Sequence, residues 1–261
     1  SVVAGFQNLD ELRDVIFRYA EFRTAEEVGL QLPETHVEQI RVPMSDAQAD
    51  KYDTYLLDYE QALKRSREDP TMRLKALGLL QRMALVAIHA ELDAGPLNKE
   101  GKPEWTWQNA RQVKDPACPK LVTVRDFILQ IPDCGHLVFC DNVAVHFWLK
   151  ELLVRAGFPA ARIAVFNADQ APTPMRRQIL SERFNGVPPV LDETGAVEQE
   201  GIAPQHDVVI ANATAYEGID LHVRTCQVYH IDLPWEPATL QQRNGREVRQ
   251  GNMEAVIRIT Y

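Results

Sequence analysis

The segment QQRNGREVRQGN, residues 241–252, carries Arg243, Arg246 and Arg249 at intervals of three. On a helix, residues three apart share a face, so the spacing predicts a cationic stripe. A guanidinium is permanently charged and forks onto pairs of oxygens, which suits a phosphoryl group or another polyanion. Such a cation can neutralise the charge that develops as a γ-phosphate leaves. Gln242, a neutral donor and acceptor, is suited to orienting a water or to coupling the site to a neighbouring strand. A second polar segment, NATAYEGIDLH, follows the buried-strand pattern DVVIA. Its Asn212 and Thr214 set short polar side chains beside exposed amides that suit phosphate oxygens. Gly218 makes a turn there, and Asp220 offers an acceptor for a hydroxyl such as a ribose. The bland alternatives are a solvated helix face and an ordinary strand-to-helix loop.

These segments need a scaffold. Up to about residue 93, apolar residues recur at helical spacing in LDELRDVIFRYAEF, DAQADKYDTYLLDYEQALKRSRED and TMRLKALGLLQRMALVAIHAEL. Ser45 and Gln48 form a capping-box pattern ahead of the second run, and HVEQIRVPM alternates like one strand. Residues 94–119 are rich in Gly, Pro and polar residues and predict a connector. From about residue 120, the apolar strands HLVFC, RIAVFN, DVVIAN, CQVYHIDL and EAVIRITY are interleaved with helical stretches. Two of these stretches are VHFWLKELLVRAG and PMRRQILSERFNG, the second opened by proline and closed by glycine. The pattern predicts an α/β layer with a mostly parallel sheet and a surface insertion at 187–206. In such sheets ligands bind at the carboxyl ends of the strands, so both polar segments are expected at one rim.

At 261 residues, 45% hydrophobic and 25% charged, the chain has sequence enough for two domains or one large one. No apolar run reaches the roughly 18–20 residues of a membrane span, so no membrane role is expected. The net charge of -9 argues against a generally basic nucleic-acid binder and confines any polyanion site to local arginine. Cys118, Cys134, Cys140 and Cys226 form no CxxC pair and predict reduced thiols in a cytoplasmic protein. A start at Ser1 suggests a piece of a longer chain. His222, Cys226 and His230 stand four apart with no fourth ligand nearby, so no metal site is expected. Cys134 and His136 in PDCGH read as a turn and not as a nucleophile pair. Trp105, Trp107, Phe147 and Trp148 are assigned to packing in preference to base stacking.

Together the two polar segments resemble motifs V and VI of the superfamily-two helicases, whose motif VI is typically Q-R-x-G-R-x-x-R. Upstream segments narrow the resemblance to the Swi/Snf-type ATPases. FRTAEEVGLQLPE is similar to that family's R-R-T-K-E-x-V…L-P entry, and VEQIRVPMSDAQADKYDTY to its strand and L-S-x-x-Q-x-x-x-Y helix. LLQRMALVAIHAEL, with Arg82 and His89, resembles its L-R-x…N-H-P helix, although the N-H-P itself is absent. DPACPKLVTV resembles its S-x-K-L entry to the second motor domain. REVRQGN stands where eukaryotic remodellers have R-x-H-R-I-G-Q and resembles bacterial, phage and plasmid members.

The resemblance implies a RecA-like second helicase domain with a mostly parallel sheet at 119–261, truncated at its C-terminal end. A mainly helical, family-specific insertion and linker would precede it at 1–118. Arg246 and Arg249 would be arginine fingers and Gln242 the motif VI glutamine, with Arg243, Gly218 and Asp220 beside the nucleotide. Asn212, Thr214 and Asn167 would line a nucleic-acid track. ATP with Mg2+ would be bound mainly by an N-terminal RecA-like domain of the same parent chain, and duplex DNA would be the partner. Neither G-x-x-x-x-G-K-[ST] nor D-E-x-H occurs in the sequence, so this piece alone is expected to be inactive. The alternatives are a non-catalytic nucleic-acid or protein-binding module and a strand-separating helicase.

Overall fold

The structure is a computed structural model that describes residues 8–21, 23, 27–101, 104–112, 118–212 and 219–261. It divides into two compact units, Ser1–Leu32 and Pro33–Tyr261. The first unit holds α1 (Leu9–Tyr19), a helix that buries none of its residues.

In the second unit, β1 (Glu34–Glu38) precedes α2 (Asp46–Arg65) and α3 (Thr71–Ile88). The capping box predicted from Ser45 and Gln48 is present: the Ser45 hydroxyl accepts from the Gln48 amide at 3.4 Å, and Gln48 Oε1 accepts from the Ser45 amide at 3.1 Å. The Gln48 side chain also donates to the Val86 carbonyl at 2.8 Å, tying the start of α2 to the end of α3. Between the two helices Tyr55, Ala62, Ala76, Leu79, Met83 and Val86 form a small core. Buried Asp93 accepts from Lys51, Tyr55 and Arg82 beside it. Among its described residues the connector contains the short helix α4 (Trp107–Ala110).

From Pro119 onward, helices and strands alternate. Their order is α5 (Pro119–Gln130), β2 (Gly135–Phe139), α6 (Val143–Arg155), β3 (Ile163–Phe166) and α7 (Pro174–Asn185). Then come β4 (Val190–Leu191), β5 (Val197–Gln199), β6 (Val208–Ala211), β7 (Thr225–His230), α8 (Pro237–Asn244) and β8 (Val256–Thr260). Six strands form one sheet in the order β1-β8-β7-β2-β6-β3, and every pairing in it is parallel. A parallel sheet must be covered on both faces, and side chains of a strand point alternately to each. Val138, Ile163, Val208 and Ile210 accordingly join the core with Leu121, Ile128, Trp148 and Leu149 of α5 and α6. Leu137, Phe139, Phe166 and Val209 join a second core that contains Phe184 of α7. The insertion at 187–206 is an exposed antiparallel hairpin of β4 and β5. β1, from the stretch read as the helical insertion, is the edge of the sheet and pairs with β8 from Glu34↔Val256 to Glu38↔Thr260.

The expectation of four reduced thiols is corrected. Cys134 and Cys226 form a disulfide, while Cys118 and Cys140 are free and buried. The two partners are 92 residues apart in the chain. They meet because β2 pairs with β7 and sets Gly135 opposite Thr225, a neighbourhood that sequence spacing does not reveal. No helix among the described residues is long and apolar enough to cross a membrane.

Candidate functional site

The chain leaves β2 through α6 towards β3 on one side of the sheet, and leaves β7 through α8 towards β8 on the other. Ligands of open α/β sheets bind where the strand order reverses, outside the carboxyl ends of the strands. Here that point lies between β2 and β7. A cleft of about 820 Å³ opens at this rim, lined among others by Lys120, Asp141, Asp232, Trp235 and Tyr261.

Two acids stand directly past the two strands. The Asp141 amide donates to Asp232 Oδ2 at 2.6 Å, joining the strand ends. Asn142 caps α6, its Oδ1 accepting from the Ala144 amide at 2.9 Å. α8 opens with Pro237 at its first turn and ends at Asn244–Gly245, a pair that favours turns over helix. Of the three arginines only Arg243 is therefore helical. It has no exposed surface. Its Nη2 donates to Asp141 Oδ2 at 2.8 Å, and its Nη1 donates to Asp232 Oδ1 at 2.8 Å and to the Asp232 carbonyl at 3.1 Å. The next residue, Asn244, accepts from His230 Nε2 at 2.9 Å and donates to the Tyr261 hydroxyl at 2.6 Å. Burial pulls the His230 imidazole down to about 4, and it stacks between Phe139 and Tyr261.

The predicted cationic stripe is corrected on this evidence. The helix stops before Arg246, and the three guanidiniums have three different surroundings. Arg246 is half-buried and has no carboxylate partner among the described residues. Arg249 donates from Nη1 to Asp220 Oδ1 at 2.8 Å and from Nε to the Gly245 carbonyl at 2.8 Å. Asp220 is itself fixed to α7, because its carbonyl accepts from Asn185 Nδ2 at 2.7 Å and from the Ser181 hydroxyl. Gln242 is exposed on α8. Between the two turn arginines, Glu247 is fully buried, and among the described residues its carboxylate has no partner beyond its own backbone amide. Burial raises its pKa well above the ordinary value, outweighing its own backbone amide and the nearby Arg246 and Arg249 charges, all of which lower it.

The motif V side of the site is divided. Asn212 is half-buried at the end of β6, its amide donating to the Phe166 carbonyl at 3.3 Å. Thr214 and Gly218 lie outside the described residues. Asn167 was expected on a nucleic-acid track, but it is 1% exposed. Its Oδ1 accepts from the Asp169 and Gln170 amides at 3.1 and 2.9 Å, and its Nδ2 meets His146 Nδ1 at 3.1 Å. The surface reading of Asn167 is revised accordingly: it shapes the turn after β3 from inside. Arg243 reaches the carboxyl ends of β2 and β7, whereas Arg249 meets Asp220, which precedes β7 and is held at the end of α7, so the contacts do not gather the predicted residues at one rim. Sequence reading passed over Asp141, Asp232 and Glu247. The first two carried a usable signal, an acid directly past the end of a buried strand. His222 has its Nδ1 4.0 Å from Asp220 Oδ1. Among the described residues no group of three or more His, Cys, Asp or Glu could hold a metal ion.

No family model matches the chain. Over 71 residues, 27% of its length, it is 42% identical to the Defense against restriction protein B of Escherichia phage P1. That match spans 3% of the phage protein. Among solved structures, the C-terminal part of the Fun30 ATPase domain superposes with a TM-score of 0.62 at 14% identity, covering 88% of this chain and 86% of that one. The Sulfolobus solfataricus SWI2/SNF2 ATPase core, solved in complex with dsDNA, gives 0.54 at 14% identity, covering 96% and 46%. A C-terminal domain of a Sulfolobus solfataricus SWI2/SNF2 ATPase gives 0.51 at 12% identity, covering 87% and 79%. At such identities the likeness is one of fold: the chain has the RecA-like α/β fold of the C-terminal half of the SWI2/SNF2 ATPases.

Proposed function

We propose that this chain is the C-terminal motor half of a DNA-dependent ATPase and translocase of the Swi/Snf type. In this reading an N-terminal RecA-like domain of the same parent chain holds ATP with Mg2+, and Arg246 and Arg249 reach it as arginine fingers. The observation that carries the proposal is the pair of arginines on turns directly after α8, the helix whose last turn Arg243 ties to the carboxyl ends of β2 and β7. ATP supplies a γ-phosphoryl group whose transfer to water drives the motor. The residues of this chain contribute charge and position. Half-buried Arg246 can meet developing negative charge with little solvent screening. Arg249 must exchange its bond to Asp220 for one to phosphate, which leaves Asp220 to accept a ribose hydroxyl. Gln242 presents a neutral amide for orienting water. Asn212 and Thr214 would touch the nucleic-acid backbone, and the likeness to a core solved with dsDNA favours duplex DNA as the polymer.

The alternative, a binding module without turnover, is supported by the Arg249–Asp220 pair, since a permanently paired arginine is no finger. ATP turnover by the parent chain, with and without duplex DNA, separates the two. Arg246→Ala and Arg249→Ala should each lower DNA-stimulated turnover about a thousandfold or more. Turnover unchanged in both variants sinks the motor reading. Strand displacement by the same protein distinguishes a helicase from a duplex translocase.

A further inference from the structure

The structure assigns Arg243 a different task from its neighbours: it is a positioning residue that sets where Arg246 and Arg249 stand and does not touch nucleotide. This rests on the arginine-finger reading above. Arg243 lies three residues before Arg246, at the point where α8 gives way to turns. Its guanidinium forks onto two carboxylates that come from two different strand ends, Asp141 past β2 and Asp232 past β7. Those acids are already linked by the Asp141 amide. One residue further on, Asn244 bonds to His230 at the end of β7 and to Tyr261 past β8. The carboxyl ends of three strands therefore converge on residues 243 and 244, immediately ahead of the two turn arginines.

A guanidinium with no exposed surface cannot reach a phosphate unless it leaves both carboxylates, and stranding buried charges in that way is strongly unfavourable. The contact is geometric as much as electrostatic, because a planar fork fixes direction where an ammonium acts as a point charge. Asp141 is the accessible end of the link. Its side chain is 50% exposed and lines the cleft at the rim, so a change in its charge reaches Arg243 without disturbing the core.

The test compares Arg243→Lys and Asp141→Asn in the parent chain. Each should lower kcat about tenfold to a hundredfold, the cost of a catalytic group misplaced by roughly an ångström. KM for ATP should stay within about twofold, as expected when ground-state binding is untouched. Hydrogen exchange at the amides of residues 244–249, measured without nucleotide, should speed up in both variants. Arg243→Lys is a change at a buried site, and if it fails to fold, half-exposed Asp141→Asn carries the test alone. A raised KM with kcat intact would place Arg243 on the nucleotide and overturn the assignment. Unaltered kcat and exchange in Asp141→Asn would overturn it as well. Arg246→Ala in the same protein keeps the two readings apart. If that variant turns over normally, the finger reading fails, while the exchange rates still decide whether Arg243 positions the turn.

Discussion

Arg243 has no exposed surface, Arg246 is half-buried, and Arg249 keeps 39% of its side chain in solvent while bonded to Asp220. Equal spacing in sequence thus becomes a buried strut, a cation with no carboxylate partner among the described residues, and a tethered one. Glu247, set between the last two, is the least comfortable residue of the segment. A carboxyl is costly to bury charged, so burial favours its protonated form. Its folded pKa is raised, so the stability it contributes is complete below the ordinary value near 4.5 and is lost as pH rises above that. Glu247→Gln removes the titration while keeping the shape. The variant should melt at the same temperature as the parent near pH 4 and progressively higher towards pH 8. Thermal melts across that range check the prediction, and a pH-independent difference would refute it.

Elements are fixed here by contacts between neighbours in the sheet as much as by their own sequences. β2 is central, with β7 and β6 on either side, and its first residue is a glycine for a steric reason. A Cβ on Gly135 would lie 2.3 Å from the Arg224 carbonyl oxygen and 3.0 Å from the Phe184 ring. Neither the backbone of the residue before β7 nor the packed ring of α7 can retreat cheaply. Gly135→Ala should therefore destabilise the protein by about 1–3 kcal/mol, the usual cost of overpacking. Urea unfolding midpoints measure this directly. Because β2 carries Asp141 past its other end, a displaced β2 should also disturb the region around Arg243.

The molecule as a whole carries seven histidines, and burial pulls six of them (His89, His136, His146, His206, His222 and His230) below the ordinary value of 6.5. His136 and His230 go furthest, to about 4 each. His136 lies between the Ile131 carbonyl at 2.9 Å and the Tyr229 hydroxyl at 3.3 Å, and burial outweighs the carbonyl, which favours the charged ring. A histidine with a depressed folded pKa binds its proton more weakly than the unfolded chain does. Its stability is present above 6.5 and is lost as pH falls from 6.5 towards 4, up to about 3 kcal/mol for each of these two. Glu247 tilts the curve the other way above its ordinary range. These groups together place the stability maximum near pH 6.5, with the steeper fall on the acid side. Unfolding free energies between pH 4 and 8 test it, and a flat profile below pH 6 would contradict the burial of His136 and His230.

Local patterns were enough to find α6, α7, β2, β3 and β6, because helical spacing records the face a helix buries and a continuous apolar run records a strand buried on both faces. The Ser45–Gln48 cap was legible for the same reason, since both partners lie within one turn. The parallel sheet followed from the alternation of strand and helix. What only the tertiary structure decided are the pairings between distant residues. Cys134 with Cys226, Arg243 with Asp141 and Asp232, and β1 with β8 all depend on strand order. The spacing of the three arginines predicted a stripe where there is a strut and two turn residues. Spacing along a chain fixes which side chains share a helix only while the helix lasts. At Asn244–Gly245 the helix ends, and from there the surroundings of each cation are set by which strands lie beneath it.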